Sequence, residues 1–138
     1  MIDKNLILRK MSELEEYLSQ LSQYGDITIS DYYSDWKIQR IVERTLQMMI
    51  ETCINVATHI ISDRKYRVPK SYADTFKVLF ENEVIGKELY DSLDKMAKFR
   101  NIVVHDYDDI DAEIVISILK NNINDFPKYK DAIVNFLI

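Results

Sequence analysis

The stretch Ile38-Gln-Arg-Ile-Val-Glu-Arg-Thr-Leu-Gln-Met-Met-Ile-Glu-Thr-Cys-Ile-Asn-Val-Ala-Thr-His-Ile-Ile-Ser62 carries one helical periodicity over its whole length. Ile38, Val42, Leu46, Met49, Cys53, Val56 and Ile60 recur every three or four residues, which places them on one stripe of a helix. Ile41, Met48, Ile54 and Ile61 widen that apolar surface. The pattern predicts a helix that Ser30 or Asp31 caps and that continues to Ser62. At 1.5 Å rise per residue, about 30 residues span roughly 45 Å. A helix so long and so broadly apolar is the spine of a bundle or extends into a partner.

Upstream, Ile7, Met11, Leu14, Leu18 and Leu21 make the stripe of a first helix over residues 3–23, ended by Gly25-Asp26. Downstream, residues 63–70 form a loop, because Pro69 disfavours helical backbone at Val68. Ser71 followed by Asp74 resembles a capping box with a shorter acid. It opens a short helix over 72–82 that buries Phe76, Leu79 and Phe80. A further helix over 86–104 carries Leu89, Leu93, Met96 and Val103 on its stripe. A last one starts at Asp109 or Asp111 and carries Ile114, Ile118 and Ile123. Pro127 ends or kinks it, and residues 133–138 are an apolar tail.

The composition agrees. At 138 residues the chain makes one domain over 1–138, and 47% hydrophobic with 30% charged residues is an ordered, globular balance. Two Gly and two Pro are too few for the tight turns of a sheet-rich fold. The expectation is an all-α, antiparallel up-and-down bundle of four main helices plus a short extra one. No apolar run approaches the roughly 18 residues of a membrane span. The start, Met1-Ile-Asp-Lys-Asn-Leu, lacks the basic and long apolar segments of a signal peptide. With a single cysteine, Cys53, these features predict a cytoplasmic protein. The net charge of −5 argues against a surface that wraps duplex nucleic acid, so any such contact rests on a local patch.

Chemistry has few places to sit. His59 and His105 are the only histidines, no Cys/His cluster exists, and no Gly-rich loop is present. A zinc site, a phosphate loop and a bound cofactor are therefore not expected. Cys53 lies on the core stripe and reads as a small buried hydrophobe; His59 lies off it and reads as a surface or interface residue. One segment differs: Phe99-Arg100-Asn101-Ile102-Val103-Val104-His105-Asp106-Tyr107. Arg100 falls four residues after Met96 and seven after Leu93, so it projects from the stripe that faces the core or a partner. A guanidinium there is costly without a counter-charge. Arg100 and His105 are about 140° apart on an ideal helix and converge only if the helix ends near His105 or a second chain contributes its own pair. The plainer alternative pairs Arg100 with Asp106, Asp108 or Asp111 and leaves His105 as a helix terminus.

Arg100-Asn101 followed by His105 resembles the motif of the HEPN superfamily, and Tyr107 two residues on narrows the resemblance to its HepT family. Glu43-Arg-Thr-Leu-Gln-Met-Met-Ile-Glu51 with Asn55 and His59-Ile-Ile is similar to the second helix of HepT proteins. Val68-Pro-Lys-Ser-Tyr72 and Phe76-Lys-Val-Leu79 are similar to their central loop and short helix. The match covers residues 38–120, with one departure at Asn55, where many relatives carry Asp. The resemblance implies a helical bundle that forms a homodimer with its motifs near the interface. It also implies a metal-independent ribonuclease toxin of a type VII-like toxin–antitoxin pair. The partner it implies is an MntA-type nucleotidyltransferase antitoxin that silences the toxin by adding AMP to the motif tyrosine, here Tyr107.

Physical chemistry supports the same residues. Cleaving RNA without metal needs a base for the 2′-hydroxyl, a stabiliser for the phosphorane and an acid for the leaving oxygen. His105, with an ordinary pKa of about 6.5, serves as base or acid, and Arg100 offers a charged fork for phosphate. One histidine cannot do both in one step, so two chains are expected to share a site. Asn101 is expected to orient His105 or the ribose, and Tyr107 to be reachable in an exposed loop. Lys95 and Lys98 extend a basic face, while Asp106, Asp108, Asp109, Asp111 and Glu113 oppose RNA unless turned away or toward a basic partner. A rival of another class is a non-catalytic subunit that binds nucleotide or substrate for a small nucleotidyltransferase.

Overall fold

Asp35 decides where the central helix begins. In the computed structural model, which describes residues 2–138, its carboxylate accepts the N–H of Lys37 at 2.9 Å and its own backbone is extended. That cap starts α3, Trp36–Arg64, and separates it from the short α2, Ile29–Ser34. The continuous helix expected from Ser30 or Asp31 is therefore two. The cap of α2 is Thr28, in a reciprocal capping box with Asp31. The break has a local cause: an Asp carboxylate that bonds nearby backbone competes with the helical ladder. At its far end α3 stops at Lys65, whose φ of 56° is left-handed.

The other long helices assemble around α3. α1, Lys4–Leu21, starts at Asp3, whose carboxylate accepts the N–H of Leu6 at 3.0 Å. α4 is Tyr72–Glu81, α5 is Lys87–His105, α6 is the short Ala112–Ser117, and α7 is Asp125–Leu137. The chain is an all-α bundle of four long helices, α1, α3, α5 and α7, with α4 as the shorter extra one. α3 packs against α1, α2, α4 and α5, which bury most of its broad apolar surface. Val42, Leu46, Met49, Cys53, Ile54, Val56, Ile60 and Ile61 are all buried, whereas Ile41 stays exposed. Burial pushes the Cys53 thiol up, away from reactivity. The Tyr129 hydroxyl donates to the Cys53 carbonyl at 2.8 Å, and its ring meets Phe76 edge-on, which ties α7 to α3 and α4.

The C-terminal third departs from the sequence expectation. Asp111 caps α6, as one of the two expected starts, but Ile114 is 44% exposed and lies off the core. A wide helical turn over Ile118–Asn122 follows, and Pro127 stands in the first turn of α7. There a missing N–H costs no ladder bond, so proline begins a helix instead of ending one. The expected apolar tail is the body of α7, with Ile133 fully buried.

The connection into α4 is fixed by charge. Ser71 caps α4 through the N–H of Asp74, but the Asp74 carboxylate does not complete a capping box. It accepts two bonds from Arg67, each at 2.8 Å, and the N–H of Lys70 at 2.8 Å, while Arg67 Nε donates to Glu81 at 2.7 Å. Arg67 and then Lys70 hold the Asp74 carboxyl well below the usual carboxylate range. Asp74 thus binds its proton more weakly in the folded chain than unfolded. Its contribution is present above the unfolded value of about 3.9 and is lost as pH falls toward the folded one. Arg67→Gln is expected to lower the melting temperature at pH 7 and to shrink the further fall on acidification below pH ~4. Thermal melts of both proteins across that range measure it, and parallel curves would assign the loop's order to other contacts.

Candidate active site

The last turns of α5 carry the conspicuous motif. Met96, Phe99 and Val103 are buried on one side, and this anchors the helix so that Arg100 and Asn101 lie half-buried beside them. The Arg100 side chain is only 12% exposed. Its counter-charge is Glu51 of α3, at 3.5 Å, and not Asp106, Asp108 or Asp111. Its guanidinium also lies 4.7 Å from the centre of the Tyr72 ring at the start of α4, and donates to Asn101 Oδ1 at 3.2 Å. Arg100 is thus held by three helices. Its Nε–H is buried and meets no acceptor among the described residues. Arg100 is thus a nearly buried cation whose ion pair with Glu51 is long.

Asn101, read from sequence as a partner of His105 or of ribose, contacts Arg100 through its carbonyl oxygen. His105 is the last residue of α5 and is exposed. Asp106 leaves helical backbone just after His105, so Arg100 and His105 both lie within α5, about 140° apart around it.

Tyr107 opens a tight 3-10 turn, Tyr107–Asp109, and is 39% exposed. The guanidinium of Arg40 on α3 sits 4.6 Å from its ring centre. Beneath them is a small open cavity of about 180 Å³, lined by Tyr32, Arg40, Glu43, Tyr107 and Asp108 among others. Lys98 pairs with Asp94 at 2.9 Å and Lys95 is exposed; both line a groove that Asp111 and Glu113 also line, so that face is of mixed sign. No group of three or more His, Cys, Asp or Glu side chains placed to hold a metal ion occurs among the described residues.

Sequence reasoning missed Glu51, Tyr72 and Arg40 as members of this region. Arg40 and Glu51 lie on the polar side of α3, where spacing alone reads as a solvated face. Only the contact with α5 and its following turn gives them a role.

Stability and the site pull in opposite directions at Arg100. Arg100→Met keeps an apolar stem and removes a buried donor that has no acceptor. Glu51 keeps Gln47 as a hydrogen-bond donor at 3.0 Å and is itself partly exposed. The variant is expected to melt at or above the temperature of the parent. A drop of more than about 5 °C in differential scanning calorimetry would show that the ion pair holds the fold.

The ribonuclease HepT-like family model matches residues 14–133. An mRNA nuclease HepT of Shewanella oneidensis is 33% identical over 94% of this chain and 96% of its own length. A tRNA nuclease HepT of Aphanizomenon flos-aquae is 30% identical over 99% of this chain and 93% of its own length. Among solved structures, the tri-AMPylated Shewanella oneidensis HEPN toxin in complex with MNT antitoxin superposes with a TM-score of 0.87 at 33% identity, covering 98% of this chain and 99% of that one.

Proposed function

The chain belongs to the HepT-like ribonuclease family, and on that premise we propose that it is a metal-independent endoribonuclease toxin, silenced by AMPylation of Tyr107. The observation that carries this reading is Arg100: a nearly buried guanidinium held between Glu51 and Tyr72, five residues before an exposed histidine at a helix end. The substrate is RNA. The catalytic groups are Arg100 and His105, and Asn101 holds the guanidinium.

In the proposed reaction His105 takes the proton of the ribose 2′-hydroxyl. The 2′-oxygen attacks the adjacent phosphorus, a new O–P bond forms, and the bond to the 5′-oxygen of the next nucleotide breaks. Arg100 stabilises the charge that builds on the phosphorane oxygens. The departing 5′-oxygen takes a proton from the partner subunit's His105, so the active species is a homodimer with both motifs in one cleft. The products are a 2′,3′-cyclic phosphate and a 5′-hydroxyl. The partner that silences the chain is an MNT-type nucleotidyltransferase, as in the complex of the Shewanella oneidensis toxin. The setting of this chemistry is the cytoplasm.

His105→Ala and Arg100→Met are each expected to lower RNA cleavage by about 10²- to 10⁴-fold while the circular dichroism spectrum is kept. Cleavage at the parental rate by the His105 variant would overturn the mechanism.

A further inference from the structure

The contact of Arg40 with Tyr107 has a chemical use that the cleavage reaction does not explain. Arg40 projects from α3 across the cavity to the turn that follows α5, and it covers the face of the Tyr107 ring at 4.6 Å. Its other contact is a long one, 3.5 Å to Oε1 of Glu43, and its side chain is 50% exposed. Glu43 is buried, and its second carboxylate oxygen accepts the hydroxyl of Tyr32 on α2. Burial and this carboxylate push the Tyr32 phenol up, so it remains a neutral donor. A guanidinium has five N–H donors. Arg40 spends one on Glu43 and lays its plane on a ring. The rest of its fork is uncommitted.

The charges around it sharpen the point. Tyr107 lies among Asp106, Asp108 and Asp109, and the cavity holds the carboxylates of Glu43 and Asp108. Arg40 is the only Lys or Arg among the residues that line it. An anion attached to Tyr107 would meet repulsion from every charged neighbour there except Arg40.

We infer that Arg40 is a positioning residue for nucleotidyl transfer to Tyr107 and becomes the counter-ion of the phosphodiester formed there, an inference that rests on the proposed AMPylation of Tyr107. Before transfer the guanidinium holds the ring at the cavity that both residues line. In transfer the phenolic oxygen attacks the α-phosphorus of ATP. The O–P bond forms, the bond to pyrophosphate breaks, pyrophosphate leaves, and the phenolic proton passes to the nucleotidyltransferase. A neutral phenol has then become a phosphodiester with one negative charge, one oxygen away from a ring that Arg40 already covers. The fork exchanges the ring face for the phosphate oxygens, a charge-assisted contact of the kind guanidinium groups make best. The anchored Glu43 keeps Arg40 on this side of α3 in both states.

The experiment compares the full chain with Arg40→Ala, Arg40→Lys and Tyr107→Phe, each incubated with its nucleotidyltransferase partner, ATP and Mg²⁺ and followed by intact mass. Loss of Arg40 is expected to slow AMP addition by about 10- to 100-fold, and the lysine variant to recover part of the rate. The ³¹P resonance of the AMPylated product is expected to move between the parent and Arg40→Ala, which a merely structural role would not cause. Addition at the parental rate with an unmoved resonance overturns the inference while leaving Tyr107 as the modified residue. If the parent takes up no AMP, or Tyr107→Phe takes up as much, the AMPylation reading falls and this inference with it.

Discussion

The guanidinium of Arg100 between Glu51 and Tyr72 is the contact on which the site depends, because each partner comes from a different helix. An arginine at that depth stays only if the surrounding packing holds it. α3 supplies Glu51 on its polar side while its apolar side is buried against α1, α4 and α5. α4 supplies Tyr72 at its first position, and the Arg67 fork onto Asp74 and Glu81 orders the loop that delivers it. α5 supplies Arg100 itself, pinned by Met96, Phe99 and Val103. The core therefore does more than stabilise: it keeps a charged fork nearly buried.

A second group of contacts lies about three turns away on the same helix. Arg40 and Glu51 are eleven residues apart, or roughly 16 Å along α3. One meets Tyr107 and the other meets Arg100. His105 and Tyr107 follow Arg100 closely in sequence, yet the end of α5 redirects the chain between them. The groups proposed to cleave and the tyrosine proposed to be modified are thus close in sequence with separate supports. A charged, bulky adduct at Tyr107 would act beside the proposed phosphate-binding group without Tyr107 being needed to hold Arg100.

Much of this was legible in the sequence, and the failures have physical reasons. Most of the stripe residues of α1, α3 and α5 are buried as their spacing predicts, with Leu18, Ile38 and Leu89 half-buried at the edge of the core, since helix periodicity reports the core directly. Arg100 stood out because a charge on an apolar stripe is an anomaly, while Asn101, His105 and Tyr107 were visible through resemblance to the family motif. The break at Asp35 was hidden, because the apolar pattern of α3 continues past a cap that only its hydrogen bond reveals. Pro127 was misread because its effect depends on where a helix starts. Glu51, Tyr72 and Arg40 were not legible, since a polar helix face gives no sign of which element it will meet.

The central claim is that this chain cuts RNA with its own side chains, through the 2′-hydroxyl. The most direct test incubates the purified protein in EDTA with an RNA strand and with the same strand 2′-O-methylated throughout. Cleavage of the RNA in EDTA, with 2′,3′-cyclic phosphate ends and no cutting of the methylated strand, is the predicted result. RNA left intact until metal is supplied, or a methylated strand cut as readily, would contradict it.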